Sequence, residues 1–125
     1  MHPHPVDQTV SQAAKQLAAD VFEAFGSTEL EPLQPAVTHC AICIGATIAE
    51  SQTRLSIPER SKTLDNARTH AYQLEAWLSL LIDSHPEHNE TLGQLQSRTI
   101  QLLDDLKAEV RKVRFSKPPN NSDHF

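Results

Sequence analysis

The sequence predicts an all-α protein, an antiparallel up-down-up-down four-helix bundle. Apolar residues recur at three-four spacing along four long stretches. Glycine is scarce, at three residues, and Val, Ile and aromatic residues never alternate with polar ones as strands require. At 125 residues the chain has material for one good core. Hydrophobic residues at 38 % and charged residues at 22 % fit an ordinary globular domain. The expected division is a disordered segment over 1–6, the bundle over 7–115 and a flexible tail over 116–125, which is rich in Pro and Asn.

The first helix is expected from Asp7 to Phe25. Val10, Ala14, Leu17, Val21 and Ala24 form one stripe, with Phe22 and Phe25 beside it. Gly26 follows where a left-handed C-terminal residue often sits. After a loop from Ser27 to Pro32, the second helix starts near Leu33 and runs toward Arg54, with Pro35 confined to its first turn. Its main stripe is Val37, Ala41, Ile44 and Ile48.

Ser56 and Glu59 have capping-box spacing and Pro58 suits a first turn, so a third helix starts there. Leu64, Ala67, Ala71, Leu74, Leu78 and Leu81 then make the cleanest seam in the chain. His85-Pro86 ends that run. A fourth helix extends from about Glu87 to Arg114 on Leu92, Leu95, Thr99, Leu102, Leu106 and Val113, widened by Leu103 and Val110. Similar helix lengths, roughly 30–40 Å each, and short connections favour antiparallel neighbours.

Net charge is −5 and unevenly spread. Residues 1–53 hold one basic residue, Lys15, against six acids, whereas Lys107, Arg111, Lys112, Arg114 and Lys117 cluster at the other end. A uniformly phosphate-binding surface is therefore not expected. Met1-His2-Pro3-His4-Pro5 has neither a basic start nor an apolar stretch, and the apolar segment Ala36–Ala49 is too short for a membrane span. A cytoplasmic protein without membrane contact is expected.

Helix two is apolar on two sides. Ile42, Ala46 and Ala49 lie nearly opposite the main stripe, with Gly45 between the sets. A bundle helix needs one such side, so Ile42, Gly45, Ala46 and Ala49 are candidate subunit-contact residues and the chain is its own expected partner.

Two segments carry a family resemblance. Cys43-Ile44-Gly45-Ala46-Thr47-Ile48-Ala49-Glu50-Ser51, followed by Arg54, matches a run Ser-Ile-Pro-Ser-Asn-Ile-Ala-Glu-Gly with a following basic residue. Leu74-Glu75-Ala76-Trp77-Leu78 sits where the same family has Leu-Glu-Thr-Gln-Leu. The chain thus resembles the four-helix-bundle proteins related to those encoded in intervening sequences of large-subunit ribosomal RNA genes. That family also looks related to the accessory variability determinant of diversity-generating retroelements. Ala46, Thr47 and Ser51 depart from its Pro, Asn and Gly. The resemblance implies a bundle, a ring-like homopentamer and no settled activity; many members are basic, unlike this chain.

Cys40 and Cys43, preceded by His39, have the spacing of a redox or zinc motif. They fall mid-helix with no strand before them and no second ligand pair, so two small thiol side chains are expected. The sequence lacks the Glu-x-x-His pairs of a di-iron bundle, a Gly-rich phosphate loop and a nucleophile elbow. His85 and His88, flanking Pro86 and Glu87, offer at most a weak divalent-ion site and are expected to be solvated. No catalytic residue, cofactor or metal site is expected. Glu50 and Glu75 in the family-like segments need cationic partners if buried, for which Arg54 and Arg68 are the candidates.

Lys107, Arg111 and Arg114 share a face, with Lys117 beyond. Favourable charge at a helix C-terminus explains them simply; a phosphate contact repeated around a ring of subunits is the sharper reading. The expectation is a non-enzymatic homo-oligomeric scaffold or adaptor, with another protein as a further partner. A nucleic-acid-associated protein is the alternative, disfavoured by net acidity.

Overall fold

The computed structural model describes residues 6–26 and 28–115. The segments expected to be disordered, apart from Val6, lie outside the described residues, as does Lys117. Four helices follow one another: α1 (Gln8–Phe25), α2 (Gln34–Ser51), α3 (Ile57–Ser84) and α4 (Asn89–Phe115). Each packs on its sequence neighbour and α1 closes against α4, which is the predicted up-down-up-down bundle.

The predicted stripes are the core. Leu17, Val21, Val37, Ile44, Ile48, Leu64, Leu74, Leu78, Leu102 and Leu106 are all buried. Ala14, Ala41, Ala67 and Ala71, also buried, are small enough for close helix approach. Thr99 sits on the α4 stripe because its hydroxyl donates to the Leu95 carbonyl at 2.8 Å, which satisfies it within its own helix.

Local chemistry sets the helix ends. Asp7 caps α1 by accepting from the Thr9 N–H at 2.8 Å, and Ser56 caps α3 by accepting from the Glu59 N–H at 3.2 Å. Pro35 and Pro58 occupy first-turn positions.

Three expectations change. Gly26 is not left-handed: its φ of −73° and ψ of 143° are extended. A Cβ there would lie 3.3 Å from Gln34 Nε2, which donates to the Phe22 carbonyl at 2.6 Å. The glycine leaves room for a side chain of α2 to satisfy the end of α1. Phe22 points outward at 57 % exposure, so the apolar side of α1 is narrower than its composition implies. Nor are the helices of similar length, because α1 and α2 have 18 residues while α3 and α4 have 28 and 27. Buried Leu30 in the first connection and buried Val6 ahead of α1 extend the core beyond the shorter pair.

Counted from the short 3₁₀ turn Glu31–Leu33 through α2, the 21-residue stretch Glu31–Ser51 is long enough to cross a membrane, and its most apolar 18 residues have a mean hydropathy of 1.2. The apolar segment Ala36–Ala49 thus belongs to a helical stretch longer than itself, which reaches the spanning length that the segment alone does not. Val37, Ala41, Ile44 and Ile48 bury one side of that stretch against the other helices, as a core helix does.

Candidate functional site

Three surface or end regions concentrate chemistry, and the first is the free side of α2. Ile42 is 52 % exposed, and Ala46 and Ala49 are exposed beside it. Gly45 is turned instead toward the α1–α2 seam, where an added Cβ would lie 3.8 Å from that of Ala14. On neighbouring α3, Gln73, Ala76, Trp77 and Leu80 line a shallow apolar groove of about 320 Å³, with Leu80 62 % exposed.

The cysteines lie along the α2–α3 side. Buried Cys40 donates its S–H toward the His70 carbonyl at 3.3 Å, and burial pushes its thiol up to about 11. Half-buried Cys43 has its Sγ 3.5 Å from His39 Nε2.

The second region is the C-terminal end of α4. The antiparallel α3–α4 register brings Arg68 beside Lys107, Arg111 and Arg114 around a cleft of about 240 Å³ floored by Val110 and flanked by the exposed ring of Phe115. Asp65 is the acid at this cluster, 2.8 Å from Arg68 and 2.9 Å from Arg114, and Arg114 also donates to the Ser61 hydroxyl at 2.9 Å. Among the described residues Lys107 and Arg111 have no ion-pair partner, and the buried Nε of Arg68 has no hydrogen-bond partner.

The four residues proposed as structural ion pairs do not form one group. Glu50 and Arg54 pair with each other one turn apart on the surface. Arg68 pairs with Asp65, and Glu75 accepts from Gln96 Nε2 at 3.0 Å across the α3–α4 seam.

The third region was missed by the sequence reading. Arg60 and Glu109 are buried at the end of the bundle where α1 begins and α2 stops. Arg60 donates to the Ser51 carbonyl at 3.2 Å. The Glu109 carboxylate accepts from the Asp7 N–H at 3.4 Å and from Lys112 Nζ at 2.9 Å, contacts that hold the Lys112 ammonium above its ordinary pKa. Burial opposes the charge of Arg60 and the Glu109 carboxylate supports it. The signal was present: Arg60 stands four residues before Leu64, and Glu109 three after Leu106, so opposite charges continue the two apolar stripes.

Fold and surfaces together define a small four-helix-bundle protein whose distinctive groups lie on its outside and at its ends. A family model described as 23S rRNA-intervening sequence protein matches residues 6–108, and the chain belongs to that family. Both segments that carried the resemblance fall inside the match, whereas Arg111, Arg114 and Phe115 fall beyond it. No curated protein and no solved structure matches the chain.

Proposed function

We propose that this protein is a non-enzymatic helical scaffold that assembles with copies of itself through the outer side of α2, into a ring whose count of five is what the family resemblance implies. The observation that carries the reading is the two-sided apolarity of α2. Only 39 % of the most apolar window of Glu31–Ser51 is buried, which leaves Ile42, Ala46 and Ala49 facing outward. Small residues flanking one large aliphatic side chain let a second helix approach closely and give it something to bury.

A closed ring with an odd number of subunits uses heterologous contacts, so each copy needs two different complementary patches. The groove at Ala76, Trp77 and Leu80 is a candidate for the second patch. Sedimentation velocity tests the reading. Ile42→Glu and Leu80→Glu should each abolish the ring while leaving a helical, cooperatively melting chain. Mixing the two variants should restore one intact contact and yield heterodimers. Unchanged sedimentation of both variants would refute the reading.

A second reading rests on the cationic cleft. Arg68, Lys107, Arg111 and Arg114 present charge for phosphates, and Phe115 presents a ring on which a base can stack. Arg111→Gln with Arg114→Gln should weaken binding to single-stranded RNA and reduce the slope of log affinity against log salt by roughly 1.4, at about 0.7 per contact. Fluorescence anisotropy across a salt series measures both quantities. An unchanged slope would exclude the cleft.

A further inference from the structure

At the opposite end of the bundle from Arg60 and Glu109, the two interhelical connections meet. Glu29 lies in the α1–α2 connection; Glu87 and His88 lie in the 3₁₀ turn Pro86–His88 between α3 and α4. His88 Nε2 and Glu29 Oε1 are 2.8 Å apart. One ligand atom from each of Glu29, Glu87 and His88 falls within 4.8 Å of the others. We propose that these three residues form a binding site for a first-row divalent cation such as zinc, which would clip the two connections together.

Two carboxylates and an imidazole make a ligand set of intermediate hardness. It suits zinc, cobalt or manganese better than magnesium or calcium, which take oxygen alone. Metal–ligand bonds of about 2.1 Å at tetrahedral or octahedral angles require neighbouring ligand atoms roughly 3.0–3.4 Å apart. The three ligand atoms, all within 4.8 Å of one another, sit on side chains from two short connections, and binding would draw them in to that spacing. The remaining coordination positions face solvent and would hold water, since Glu29 and Glu87 are exposed.

Electrostatics points the same way. Folding brings the carboxylates of Glu29 and Glu87 together from positions far apart in sequence, and among the described residues no Lys or Arg pairs with either. Their repulsion is relieved by a cation held between them. A divalent ion supplies two positive charges to two carboxylates. The sequence placed His85, Glu87 and His88 together as at most a weak divalent-ion site; the fold adds Glu29 from the other connection to Glu87 and His88.

The test uses the full chain with His2, His4, His39, His70, His85 and His124 changed to Ala and Cys43 to Ser, which leaves His88 as the one histidine. Calorimetric titration with zinc should give one site per chain, and the melting temperature should rise with zinc concentration but not with magnesium. Glu29→Gln and His88→Gln, made in that background, should each weaken zinc binding more than about tenfold, the lower end of what losing only a ligand's hydrogen-bond partner costs. Each variant's melt without metal supplies its own baseline, so loss of the Glu29–His88 contact is separated from loss of the metal response. Absence of a zinc response in the background chain, or an equal response after Glu29→Gln, would overturn the proposal. A cobalt absorption spectrum that is the same with and without His88 would do so too.

Discussion

Among the described residues, the buried side chains that carry charge are Arg60 and Glu109. Arg60 and Glu109 occupy positions that helical spacing reserves for apolar side chains, and they gather the start of α1, the end of α2 and the adjoining turns of α3 and α4. The Glu109 carboxylate supports the charge of buried Arg60 and is itself buried, so removing it takes away an opposite charge where desolvation is costly. Glu109→Ala should therefore destabilise the fold by about 3 kcal/mol in urea unfolding, and the double change of Arg60 and Glu109 to Met and Leu should recover most of that loss. Cys40 yields a pH prediction. Its thiol ionises near 11 in the folded chain, against 9.0 ordinarily. Between those values the unfolded state has released its proton while the folded state still holds it, so stability falls as pH rises through that window. Cys40→Ala should remove that part of the alkaline slope. At pH 8, alkylation followed by mass mapping should modify Cys43 and spare Cys40.

Element by element, the legible features were those with a period. The α3 seam could be read because six apolar residues hold three-four spacing without a break, and Leu74→Ala should cost about 2–5 kcal/mol by cavity formation. The start of α3 was legible from Ser56 and Glu59, and Ser56→Ala should cost about 1 kcal/mol in thermal unfolding. Helix ends that depend on another element were not legible. The exit of α1 rests on Gln34 of α2 reaching the Phe22 carbonyl, so the local sequence around Gly26 suggested a left-handed residue that tertiary contact makes unnecessary. Phe22 was misplaced for a related reason: a three-four pattern tolerates a neighbour on either flank, and only the position of the adjacent helices decides which flank is covered.

At the scale of the whole molecule, two of the candidate sites are groups that the bundle assembles from distant parts of the chain. The basic run on α4 was visible in the sequence, but the contribution of Arg68 depended on the α3–α4 register. The Glu29, Glu87 and His88 cluster depended on both connections ending at the same place. The free side of α2 was legible earlier because it lies within one helix, apart from Gly45, whose turn toward Ala14 needed the position of α1. Assembly through that free side is the central claim, and native mass spectrometry of the gently purified, untagged chain at low salt tests it most directly. The account predicts one species at five times the 13.9 kDa chain mass, lost on Ile42→Glu. A single species at 13.9 kDa across micromolar concentrations would contradict it.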